Sequence, residues 1–176
     1  MRVPTLVLVA GVMAVGGSVA TAGVATIERP AQVDRTAHRL APPFGADLDP
    51  NERVALELVD LINLERNRRG LPNFQVNASV SAAAMAHAGD MAAREQLAHI
   101  GTDGSDAGAR LHRAGFAWRT WGETIGAGFA TPQPVMDAWL ASPDHRPSLL
   151  GDTTYAGAGV VATAGNVPYW VLVVAS

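Results

Sequence analysis

The chain has 176 residues, 48% hydrophobic and 16% charged, with a formal net charge of −3. That length suits one domain behind an N-terminal segment, the composition can bury a core, and the acidic balance provides no basic stripe for nucleic acid. Cysteine and lysine are both absent, which excludes a thiol nucleophile, cysteine metal ligands, disulfides, a Schiff-base lysine and a P-loop lysine. Chemistry must come from His, Asp, Glu, Ser, Thr, Tyr or a bound metal.

After Met1-Arg2 the chain runs from Val3 to Ile27 without a charge. Leu6-Val7-Leu8-Val9-Ala10 opens an apolar run, and Ser18-Val19-Ala20 or Ala20-Thr21-Ala22 supplies the small residues a signal peptidase accepts. Residues 1–25 therefore read as an export signal, with an uncleaved membrane anchor as the alternative. Gly11, Gly16, Gly17 and Gly23 dilute the apolarity and favour cleavage, which places the product outside the cell or in its envelope. Residues 26–47 carry Pro30, Pro42, Pro43 and scattered charges without an apolar period, and read as a linker. The folded domain then spans 48–176.

Asp49-Pro50-Asn51-Glu52 combines a cap, a first-turn proline and a glutamate three residues after the cap, so a helix starts there. Val54, Leu58, Leu61 and Ile62 recur at helical spacing, and Gly70 stops the helix. Arg66, Arg68 and Arg69 read as a solvated helix end facing the negative end of the dipole. Asn77 or Ser79 caps a second, alanine-rich helix with Val80, Ala84, His87 and Met91 on one stripe. Ser105 or Asp106 starts a short third helix ended by Gly115, and Thr131-Pro132 a fourth with Val135, Met136, Trp139 and Leu140 on its apolar face. Gly157–Val161 and Tyr169–Val174, joined across Gly165-Asn166, read as a β-hairpin. Helices first and strands last predict an α+β domain, an antiparallel sheet covered by helices.

Of the five histidines, His38 in the linker and His112 on a polar helix read as solvated. His87, on an apolar stripe, reads as a hydrogen-bonded core residue. His99 and His145 each sit in a turn, beside Gly101-Thr102-Asp103-Gly104 and within Ser142-Pro143-Asp144-His145, where binding residues are commonly displayed. Spacing alone does not join them, because no His-Glu-x-x-His or other local ligand pattern is present.

The order of short motifs carries more information. Asn63-x-x-Arg66 with Gly70-Leu71 is followed by Ala98-His99 with Asp103-Gly104 and Arg110, then Gly115-Phe116 and Gly122-Glu123-Thr124-Ile125-Gly126-x-Gly128. Trp139-x-x-Ser142-Pro143-x-His145-Arg146, Gly157-x-Gly159-Val160 and Tyr169-Trp170 complete the series. No single piece is specific, but the succession across residues 50–175 resembles the bacterial branch of the CAP superfamily, the SCP domain. The resemblance implies a three-layer α-β-α sandwich with a central antiparallel sheet and a cleft lined by His99, Glu123 and His145. It further implies that His99 and His145 can hold zinc or another divalent cation, with Glu123 as ligand or as orienter of a histidine.

The chain departs from the family pattern in places. Glu123-Thr124-Ile125 has threonine where asparagine is common. A second cleft glutamate of eukaryotic members is missing from Leu140-Ala141-Ser142, where Ser142 either replaces it or caps the turn before Pro143, the cap being favoured. Asp103, Gly104 and Arg110 read as a structural turn and ion pair. The expected function is an exported, non-enzymatic binding module for a small apolar molecule, lipid- or sterol-like, with optional metal. Membrane contact would come only through an uncleaved N-terminus. One alternative is a metal-dependent hydrolase or protease with Glu123 as base, and another is a structural or signalling envelope protein with a vestigial cleft. A Ser142–His145 nucleophile pair lacks the Gly-x-Ser-x-Gly elbow.

Overall fold

A computed structural model of the chain describes the backbone of Leu8–Ala14 and residues 48–176. The rest of the expected export segment, the linker and His38 lie outside the described residues. Leu8–Ala14 forms strand β1.

The first helix begins as its cap signals require. In α1 (Pro50–Arg68) the Asp49 carboxylate accepts the Asn51 N–H at 2.8 Å while Glu52 reaches back to the Asp49 N–H at 3.4 Å, a reciprocal box that satisfies two orphan donors. A two-residue strand β2 (Gln75–Val76) follows, and then α2 (Ala78–Arg94), where Asn77 rather than Ser79 is the cap and accepts from the N–H groups of Ser79 and Val80. Asp106 caps α3 (Ala107–Arg113), and Gly115 ends it at a φ of +81°, a left-handed turn that favours glycine. Next come β3 (Trp121–Ala127), α4 (Pro132–Ala141), the short α5 (Arg146–Leu150), β4 (Tyr155–Ala162) and β5 (Pro168–Ala175).

The sheet order is β1-β3-β5-β4-β2, antiparallel throughout except where β2 runs parallel to β4. Helices α1, α4 and α5 cover the face carrying Trp170, Leu172 and Val174, and α2 and α3 cover the face carrying Tyr169, Val171 and Val173. Because both faces are buried, β5 is apolar at consecutive positions rather than alternating. The result is the expected three-layer α-β-α sandwich. Two narrower readings are corrected. Strands do not simply follow helices: β1 precedes α1 and β3 lies between α3 and α4, and none of β1, β2 and α5 was expected.

The arginines at the end of α1 also divide. Arg68 and Arg69 are exposed and pair with Glu65, as a solvated helix end would. Arg66 is 1% exposed and donates to the carbonyls of Pro72, Leu149 and Gly151, with its guanidinium 3.7 Å from the Phe74 ring centre. It is a buried clamp between α1 and the end of α5. Asn63, one turn earlier, bonds both the N–H and the carbonyl of Phe74, so the Asn63-x-x-Arg66 spacing ties the loop after α1 to the helix.

Helix α2 packs directly on β4. A Cβ on Gly157 would lie 2.2 Å from the Ser81 nitrogen, and one on Gly159 would lie 2.5 Å from the Met85 Cα. Glycine in the strand and alanine in the helix bring the two backbones together, and this closeness sets how His87 and the loop after α2 meet β3.

Candidate functional site

Glu123 occupies the middle of β3 on the α2/α3 face, between Trp121 and Ile125, and is 1% exposed. A carboxylate buried this deeply requires partners, and both oxygens have them. Oε1 lies 2.8 Å from His99 Nδ1, and Oε2 accepts from Arg110 Nη2 at 2.6 Å. Arg110, on α3, also donates through Nη1 to the Ser105 carbonyl at 2.7 Å and through Nη2 to the His99 carbonyl at 3.2 Å. One guanidinium thus holds the loop from His99 to Ser105 against β3.

The pairing expected around Asp103 is therefore corrected. Asp103 and Gly104 do form a turn, with Gly104 at a φ of +79° and the Asp103 carboxylate accepting the Ser105 N–H at 2.9 Å. The ion-pair partner of Asp103 is Arg113, at 2.5 Å. Arg110 belongs instead to Glu123, and sequence reasoning missed it as a site residue. The helical spacing of Arg110 and Arg113 was the available signal, since residues three apart on α3 share a face and only one of them is buried deeply enough to need the carboxylate.

His87 is the hydrogen-bonded core histidine that its stripe predicted, with Nε2 2.9 Å from the Ala98 carbonyl. It also lies 3.9 Å from Glu123 Oε1, a proximity that sequence reasoning did not foresee. Burial pushes the imidazole below the ordinary histidine range; Glu123 pulls it up, Arg110 pushes it down, and Asp90 adds a further upward pull. The folded protein therefore binds fewer protons at this site than the unfolded chain. Stability from His87 is complete above the ordinary value near pH 6.5 and is lost as pH falls from there toward the lowered native value. Urea melts should show this acid-side slope, and His87→Gln should flatten it; an unchanged slope would remove His87 as its origin.

His145 is 3% exposed and occupies the N-cap position of α5, without a side-chain cap bond. Leu149 of α5 belongs to the α1/α4 core, and Ser148 faces Gly122 on the sheet surface opposite Glu123. Helix α5 therefore lies on the layer opposite Glu123, with His145 at its N-terminal end. Around Glu123 the hydrogen bonds among the described residues join His99 and Arg110, not His145. Ser142 closes α4: its N–H donates to the carbonyls of Ala138 and Trp139, and its carbonyl accepts from Arg146. These are backbone bonds that any residue could make at this position. No group of three His, Asp or Glu residues gathers as a ready metal set among the described residues. β1 runs along the outer edge of β3, with Met13 opposite Glu123.

The model of the CAP family, described as the cysteine-rich secretory protein family, matches residues 59–174. The chain belongs to this family. It does so without the cysteines of the family's name, so the CAP core is held here by packing and by clamps such as Arg66 and Arg110. The uncharacterized protein YkwD of Bacillus subtilis is 31% identical over 106 residues, 60% of this chain and 41% of YkwD. The uncharacterized membrane protein YlbC of the same organism is 27% identical over 105 residues, 59% of this chain and 30% of YlbC. The chain thus spans less than half the length of these relatives. Among solved structures, an outer surface protein from Borrelia burgdorferi matches with a TM-score of 0.66 and 21% identity, covering 71% of this chain and 93% of that one. An extracellular SCP-domain protein from Bacillus anthracis matches with a TM-score of 0.63 and 23% identity, covering 74% of this chain and 45% of that one. At these identities the likeness concerns the fold.

Proposed function

We propose that this CAP domain is an exported binding module in which His99, together with His145, holds a divalent metal such as zinc beside a small apolar, lipid- or sterol-like ligand. The observation that carries the reading is the Glu123–His99 pair. With Nδ1–H donated to a buried carboxylate at 2.8 Å, Nε2 is the nitrogen that bears the lone pair. A carboxylate behind a histidine in this way fixes the tautomer and raises the basicity of the coordinating nitrogen. Glu123 itself fits as orienter rather than ligand or base, because its second oxygen is held by Arg110. This disfavours the hydrolase reading, in which Glu123 would need to accept a proton from water. A bound divalent ion would supply a Lewis-acid anchor for an oxygen of the ligand.

Export is supported by the uncharged run from Val3 to Ile27 and by relatives described as an outer surface and an extracellular protein. The lipid-like ligand class rests on the family and on the missing nucleophile. Calorimetric titration of the full chain with zinc should show saturable binding that His99→Ala or His145→Ala abolishes. Glu123→Gln should weaken it by about 10–100-fold while the far-ultraviolet circular dichroism stays native. Parallel assays with cholesterol and palmitate, with and without zinc, test the apolar ligand. If neither zinc nor lipid binds above background, the reading fails.

A further inference from the structure

A pocket of about 530 Å³ opens between α2, the Gly101–Ser105 turn and α3, and its lining includes Arg110 but none of His99, Glu123 and His145. This volume is within the range of small-molecule sites. One wall is apolar, made by Ala82, Ala83 and Ala86 of α2, and the most buried polar side chains reaching the pocket are His87 and Arg110.

His87 defines what the pocket can take. Its Nε2 donates to the Ala98 carbonyl, so Nδ1 carries the lone pair, and that atom is buried without a hydrogen-bond partner. A buried acceptor left unmet is costly, and Nδ1 lies 4.0 Å from Asp90 Oδ2, so a molecule in the pocket that reaches this end of the imidazole must present an N–H or O–H to it. The surrounding charges indicate which. Asp90 is held by Thr102 and Arg94, Asp103 by Ser105 and Arg113, and Arg110 by Glu123. Every ionic group on the lining is already paired, so an ion gains no unmet charge on entry. The donor that fits is neutral, and Asp90, Asp103 and Arg113 still have oxygens and N–H groups able to engage further hydroxyls.

We propose that this pocket is a second binding site, for a neutral polyhydroxylated molecule such as a sugar or polyol, with one hydroxyl donating to His87 Nδ1 and a carbon face lying on Ala82, Ala83 and Ala86. The site shares Arg110 with the His99 centre but not its histidine, so separate variants test the two. The test is ¹H–¹⁵N spectroscopy of the full chain titrated with glucose, N-acetylglucosamine and glycerol, with tetramethylammonium chloride and sodium sulfate as ionic probes. Saturable shifts confined to the amides of residues 82–90, 101–105 and 110–114 are expected with at least one neutral probe and with neither ion. Ala86→Leu, which fills the pocket from an exposed position, should weaken that binding by at least about ten-fold, and Ala82→Leu should act likewise. His99→Ala should leave it intact while removing zinc. Preferential binding of an ion, neutral binding that survives both leucine variants, or no saturable binding up to about 0.1 M overturns the proposal; the last would mean that only water meets His87.

Discussion

Replacing Arg110 by methionine is expected to destabilise the fold by about 3–5 kcal/mol, because it strips a buried carboxylate of its cationic partner. Glu123 is 1% exposed and Arg110 7% exposed, so neither charge can turn to water when the other is lost. Arg110 also bridges the carbonyls of Ser105 and His99 to β3, so the loop carrying His99 should loosen in the same variant. The double variant Arg110→Met with Glu123→Leu should recover most of the loss, since two apolar side chains leave no buried charge behind. Urea unfolding followed by tryptophan fluorescence measures both. A single variant within about 1 kcal/mol of the parent would mean that the ion pair is exposed in solution and that Glu123 is not held as described.

Gly159→Ala should cost about 3 kcal/mol or more, above the ordinary range for an added methyl group in a core, because the atoms in its way are backbone. Its Cβ would stand 2.5 Å from both the nitrogen and the Cα of Met85, so α2 would have to lift off the sheet. Gly157→Ala meets the Ser81 nitrogen at 2.2 Å and should behave the same way. Displacing α2 moves His87 and the loop that ends in His99, so both variants should also weaken zinc binding in proportion to their loss of stability. Gly89→Ala is the control. It lies on the same helix with nothing within 4 Å of the new atom, and should stabilise by roughly 0.5–1 kcal/mol through a stiffer unfolded chain. Equal thermal melting of Gly159→Ala and the parent would show that α2 and β4 are not in the close register described.

The site was legible in parts that differ physically. His99 and Glu123 could be paired only through the family resemblance, because they come from a loop and a strand that sequence spacing does not connect. The buried partner, Arg110, was read as part of a structural turn and ion pair with Asp103. Asp103 is only two residues from Ser105, and in the sequence it is as plausible a partner for Arg110 as for Arg113; burial on one side of α3 decides between them. His87 was legible as a core residue from its helical stripe, but its approach to Glu123 depends on how closely α2 lies on the sheet. Strand β3 escaped detection because Trp121-Gly122-Glu123-Thr124-Ile125-Gly126 carries two glycines and a charge, the reverse of a strand signature. Gly126 is small because a Cβ there would sit 3.1 Å from Val135, and Glu123 is tolerated because Arg110 neutralises it.

Local chemistry was enough to determine the helix starts at Pro50 and Pro132, to narrow those of α2 and α3 to two neighbouring caps each, and to give the β4–β5 hairpin and the absence of thiol or lysine chemistry. Caps, prolines and apolar periods act over a few residues, so they can be read without knowing the rest of the molecule. Only the tertiary structure decided that β3 threads between α3 and α4, that Arg66 is a buried clamp rather than a solvated end, and that Arg110 and His99 share one carboxylate. Each of those depends on burial, which removes water as the competing partner and leaves a charge to whichever group the fold has brought within hydrogen-bond reach.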